Sequence, residues 1–240
     1  AMPDGTISNN IAPAYPYELT TKGAFADYAF KTSTDLGSGY TLFVAGNNHS
    51  GQGLVAPGQA YANTLHFGNS GSTDLENPRT CLAFDNTTQK LTDRSNVGAT
   101  AGTYAYVGTY TGSTGFDASN YIVEYGTVDI SNDDPISGGY NDQLGRYEGD
   151  WSVQRAVRCD DGLTDWKTDP TQVGSGIDDV NVVRARLKDS VADSVALSSS
   201  QYIRFVTPLE IRQTFYKGTH DGELIPVGTT AAAFGSARDD

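Results

Sequence analysis

After the dipeptide Pro57-Gly58 the chain alternates, with Tyr61, Asn63, Leu65 and Phe67 set against Ala62, Thr64 and His66. This period of two predicts a strand with one face in the core, launched from a turn. A stretch of Asn, Gly, Ser and Asp from Asn69 to Asn77 then supplies turn chemistry, and Thr80 to Phe84 resumes the pattern. Similar apolar or alternating runs predict strands at Tyr15 to Thr21, Ala26 to Thr32, Tyr40 to Ala45, Thr103 to Tyr110, Tyr121 to Ile130 and Trp151 to Cys159. More follow at Val180 to Leu187, Val195 to Val206, Ile211 to Tyr216 and Glu223 to Thr230. Asn86 to Ala101 is polar without a clear period, and Ser131 to Asp150 reads as a long irregular loop, a kind that is often functional. The expected fold is all-β, an immunoglobulin-like or jelly-roll-type sandwich with long loops. Residues 1–52 form an N-terminal arm with strands, in the same sandwich or a small separate sheet, and residues 53–240 form the sandwich with a large insertion.

Composition supports the pattern and narrows the partners. The 27 Gly and 14 Tyr, with 1 Met, suit short strands and turned loops better than a helical bundle. The net charge is −13, carried by 23 Asp and 6 Glu, and no Lys/Arg cluster offsets it, which argues against nucleic acid as a partner. No apolar run approaches the length of about 18 residues that a membrane helix needs, so no membrane insertion of this chain is expected. Ala1-Met2 reads as a cloning scar on an excised piece of an exported protein. The 2 cysteines, Cys81 and Cys159, are a disulfide or two free thiols. Their strand-like settings in a loop-rich, acidic chain favour the disulfide and an extracellular, secreted or cell-surface location.

A family resemblance sits on these residues. PGQAYANTLHFGNSGSTDLENPRTCLAFD resembles the opening of the conserved-repeat β-sandwich modules of bacterial surface proteins, and VRCDDGLTDW, VNVVRARLKDSVADSVALSSSQYIRFVTP and DGELIPVGTTAAAF resemble their closing strands. The likeness spans Gly53 to Phe234 with an insertion between its halves. It implies an immunoglobulin-like sandwich in a long secreted or wall-bound protein, acting as a spacer or adhesive module without chemistry of its own. A host or neighbouring-cell glycan, or a surface protein, would be its partner.

Candidate chemistry is sparse. The sequence has no GxSxG, HExxH, phosphate-loop or dinucleotide-binding motif, so it is read as no enzyme. His49, His66 and His220 are read as structural or solvated. Glu124, flanked by Tyr121 and Tyr125, is the best acid for glycosidic cleavage, and is weighed below an ordinary strand carboxylate. Hard cations such as calcium take several loop oxygens, which nominates Asp160, Asp161, Asp165 and Asp169 as a metal set, against plain acidic turns. Asp133, Asp134, Asn141 and Asp142 form a lesser cluster. Sugars stack on flat aromatic rings, and Tyr140, Tyr147 and Trp166 lie in polar loops, so these three are the candidate ligand-binding residues of a carbohydrate-binding alternative. Tyr104, Tyr106 and Tyr110 are expected on one face of their strand.

Overall fold

The computed structural model describes residues 24–32, 57–69, 73–97, 104–109, 115–130, 132–144, 146–150, 163, 165–229 and 231–238. Its strands are β1 (Ala24–Thr32), β2 (Ala60–Asn69), β3 (Leu75–Glu76), β4 (Arg79–Phe84), β5 (Gln89–Leu91), β6 (Tyr106–Thr109) and β7 (Tyr121–Gly126). They continue with β8 (Tyr140–Asn141), β9 (Arg146–Tyr147), β10 (Val182–Leu187), β11 (Ala196–Leu197), β12 (Tyr202–Ile211) and β13 (Ala233–Arg238). Every pairing between them is antiparallel, and helix among the described residues is limited to short 3-10 turns. The expected all-β, sandwich-like class holds.

One sheet has 5 strands in the order β1-β2-β12-β5, with β6 also on β12; the other has 4, in the order β13-β4-β10-β7. One apolar cluster draws on both. Tyr61, Leu65 and Phe67 of β2 and Ile203, Phe205 and Leu209 of β12 meet Leu82 and Phe84 of β4 and Val183, Ala185 and Leu187 of β10. The alternation along β2 is therefore the buried face the sequence predicts. The register puts Phe67 opposite Ile203, Leu65 opposite Phe205 and Tyr61 opposite Leu209, so the apolar rows of neighbouring strands coincide. Ala62 and Thr64, on the other face of β2, are buried as well.

Three readings need correction. Val195 to Val206 divides into β11 and the start of β12, which runs unbroken through Pro208 to Ile211, and residues 212–216 beyond it are not strand. Along one edge of β12, β6 faces residues 203–206 and β5 faces 209–211. The Pro208 carbonyl accepts from Thr92 N (3.1 Å) on that edge, and the missing N–H points the same way, beside the junction of the two short strands. Residues 223–229 form a turned loop with one isolated bridge, Leu224 to Thr214, and the closing strand is instead β13, which starts beyond the strand read there. Tyr104 and Tyr106 do not share a face. Tyr104 and Ala105 both join the core before β6 starts, whereas Tyr106 carries the Arg94 guanidinium 5.0 Å from its ring centre. The strands read at Tyr15 to Thr21, Tyr40 to Ala45 and Trp151 to Cys159, and Tyr110, lie outside the described residues.

Candidate functional site

Two loops stand out from the sandwich, and each is built to hold its shape. The first, residues 132–150, folds back on itself as the β8–β9 hairpin, lengthened by hydrogen bonds from Gly138 N to Glu148 O (2.7 Å) and Glu148 N to Gly139 O (3.0 Å). A Cβ on Gly138 would sit 2.7 Å from the Glu148 carbonyl oxygen, so this close approach requires glycine. The Asn141 side-chain oxygen caps the turn, accepting from Gln143 N (3.0 Å) and Leu144 N (3.1 Å), while its amide donates to Glu148 Oε1 (3.0 Å). Tyr140 and Tyr147 face each other in register, their rings edge to face with centres 5.1 Å apart.

The second loop, residues 213–229, leaves the end of β12 and is tied down by two buried aspartates. Asp85, fully buried after β4, accepts from Thr87 N (2.9 Å) and from the Thr88 hydroxyl (2.6 Å) and so shapes the 86–88 turn. Burial pushes its carboxyl up, against these hydrogen bonds. That turn receives the loop: Thr88 O accepts from Arg212 N (2.8 Å) and Thr87 O from Tyr216 N (2.9 Å). Asp179 acts from the other side. Its Oδ2 accepts from Ser175 N (2.7 Å) and Ser175 Oγ (2.6 Å), and its Oδ1 accepts from Tyr216 OH (2.8 Å) and the Lys217 ammonium. Burial alone would raise this carboxyl, but the Lys217, Ser175 and Tyr216 donors outweigh it and hold the group well below the usual carboxylate range. Arg212 completes the clasp, stacked 4.3 Å from the Tyr216 ring centre and paired with Asp178 Oδ1 at 2.8 Å.

The two loops meet. Tyr147 N donates to Gly228 O (3.0 Å), and His220 Nε2 lies 3.5 Å from Asp134 Oδ1 while its Nδ1 lies 3.1 Å from Glu223 Oε2. Tyr140, Tyr147 and the tip residue Val227 thus belong to one surface. Sequence reasoning nominated the tyrosines but took Val227 for a strand residue. Pro226 and Gly228, which argue against a strand, were the signal for a loop.

Trp166 has a different setting from the tyrosines. It is half-buried against Ala83, Val182 and Phe234, its indole N–H donates to Leu163 O (3.1 Å), and the Arg184 guanidinium stacks 4.2 Å from its ring centre. Glu124, across from Arg184 in register, is buried; its Oε2 accepts from Arg184 Nε (2.6 Å) and Arg186 Nε (2.9 Å), and its Oε1 from Arg186 Nη2 (3.0 Å). A carboxylate so committed to two guanidiniums is a structural ion pair, whereas a glycosidic acid stands uncommitted in an apolar pocket. Cys81 flanks Arg184 on the opposite side and is disulfide-bonded; Cys159 lies outside the described residues.

Of the four metal candidates, Asp160 and Asp161 lie outside the described residues. Asp165 accepts from Lys167 Nζ (2.6 Å), and Asp169 caps a 3-10 turn, accepting from Thr171 N (2.9 Å) and Thr171 Oγ1 (2.7 Å). In the lesser cluster Asp134 accepts from Ile136 N (3.1 Å) and Asp133 is buried. Among the described residues no three His, Cys, Asp or Glu side chains come together in a way that could hold a metal ion. Nor is any described helix long and apolar enough to cross a membrane.

No protein-family model matches the chain, and no curated protein matches it.

Proposed function

We propose that this chain is a non-catalytic extracellular module of the bacterial surface-protein kind, which recognises a ligand with the joined loops 132–150 and 213–229. The observation that carries the reading is the Tyr140–Tyr147 pair, presented on a braced hairpin and bonded through Tyr147 N to the loop that bears Val227. Recognition residues commonly ride on loops that a rigid scaffold positions. The sandwich is that scaffold, and the Asp85 and Asp179 clasps pre-order the second loop, which lowers the entropy cost of binding. The disulfide at Cys81 supports an oxidising, exported location, and we assign its partner as Cys159, the other of the chain's 2 cysteines.

A carbohydrate-binding reading has one observation in its favour. The half-exposed Tyr140 ring lies against Tyr147 on the hairpin, and flat aromatic rings of this kind suit stacking by a sugar. Screening the wild type and Tyr140→Ser on glycan and peptide arrays tests recognition as such. Saturable binding to either class, lost in Tyr140→Ser, supports it; no binding, or binding indifferent to Tyr140, overturns it.

A further inference from the structure

The partner's chemistry can be taken further, on the assumption that the joined loops are a recognition surface. Among the described residues the exposed large hydrophobic side chains are Tyr140 (49%), Leu144 (50%), Leu224 (78%) and Val227 (93%). All four fall in the two joined loops. A lone exposed leucine is ordinary, but their concentration in two touching loops marks an interaction surface. Three of them are aliphatic. Such side chains gain by removal from water against other apolar groups, which a protein partner supplies and a hydroxyl-rich sugar does not.

Charge narrows the partner. The two loops carry seven carboxylates against Arg146 and Lys217. Asp142, Glu148, Asp150, Asp221 and Glu223 are exposed, whereas the Lys217 ammonium is already paired with Asp179. Exposed apolar side chains interspersed with exposed carboxylates complement a segment of opposite design. We propose that this face docks a basic, apolar-studded segment of a partner protein, with lysine or arginine meeting the carboxylates while aliphatic or aromatic side chains cover Val227, Leu144 and Tyr140. The Tyr147–Gly228 hydrogen bond and the His220 contact to Asp134 hold the two loops as one surface before the partner arrives.

The test is a fluorescence-anisotropy titration with a short labelled peptide of alternating lysine and leucine. Matched peptides of glutamate with leucine and of lysine with serine serve as controls, and a glycan array is run beside it. Saturable binding of the lysine–leucine peptide alone is expected, weakened about tenfold by Val227→Ser. At 93% exposure that change leaves the fold intact. Asp142→Asn is expected to weaken binding and steepen no other property, while Asp193→Asn, an exposed acid outside both loops, leaves it unchanged. Equal loss in Asp193→Asn, indifference to Val227→Ser, or equal binding of lysine with serine would reduce the effect to attraction toward a chain of net charge −13 and overturn the proposal. Glycan binding lost in Tyr140→Ser, without peptide binding, removes the partner assignment and keeps the recognition surface. No binding of either kind removes both.

Discussion

Asp179→Asn is the substitution whose cost the clasp geometry sets most tightly. The carboxylate is buried and receives donors on both oxygens, Ser175 N and Oγ on Oδ2 and Tyr216 OH and Lys217 Nζ on Oδ1. Asparagine has the same shape but only one acceptor oxygen. With its amide nitrogen toward Ser175 it meets a backbone N–H that cannot turn away; with the nitrogen on the other side it meets the ammonium. Hydrogen bonds to a charged group contribute about 1.5–3 kcal/mol each, and stripping one partner from a buried ion pair costs about 3–5 kcal/mol. Lys217 is 58% exposed and the hydroxyls of Ser175 and Tyr216 can reorient, so a net loss of about 2–3 kcal/mol is expected. Urea unfolding followed by tryptophan fluorescence measures it as a shift in midpoint at constant slope. The difference also carries a sign in pH. The folded carboxyl titrates below its ordinary 3.8, so on acidification the unfolded chain takes up the proton first. The stabilisation is full above about pH 5 and is lost as the pH falls through the carboxylate range. A loss under about 0.5 kcal/mol at neutral pH, or a gap that widens in acid, would refute the reasoning.

The other buried anchor is expected to behave oppositely. Because burial raises the Asp85 carboxyl, its contribution improves as the pH falls through the folded value, and Asp85→Asn should cost less than about 1 kcal/mol at pH 7 in the same unfolding assay, since the amide oxygen still receives Thr87 N–H and the Thr88 hydroxyl can turn to accept. Denatured, unreduced protein should show no reactive thiol, and a non-reduced digest should yield one peptide joining Cys81 to Cys159; two reactive thiols would remove the link. The melting temperature should be the same in millimolar calcium and in chelator, because Asp165 and Asp169 are already engaged by Lys167 and Thr171; a rise in calcium would restore a site using Asp160 and Asp161.

The strands were legible where one face is apolar and the other is not. Tyr61, Leu65 and Phe67 announce β2 because the period of two is what burial on one side of a pleat demands. β5 was hidden in a polar stretch, since its Gln89 is buried by hydrogen bonding, donating to Ala232 O (2.6 Å) and receiving the Tyr61 hydroxyl. β13 was missed because Ala233, Gly235 and Ser236 are small residues that fit beside β4 without advertising strand propensity. The strand read to Val206 ends short of Pro208, which β12 accommodates where β5 and β6 meet on one edge. The site was half legible. Polar surroundings single out Tyr140 and Tyr147, but Trp166 sits in an equally polar stretch and turns inward beneath Arg184. The Asp179 clasp joins residues far apart in sequence, and no local pattern encodes that meeting.

Amide hydrogen exchange of the chain, free and bound to the strongest ligand of the array screen, tests most directly whether the joined loops are the recognition surface. The account predicts added protection in peptides covering residues 132–150 and 213–229, with the strands of both sheets unchanged. Protection confined to the Trp166, Glu124 and Arg184 face, with both loops exchanging as in the free chain, would contradict it.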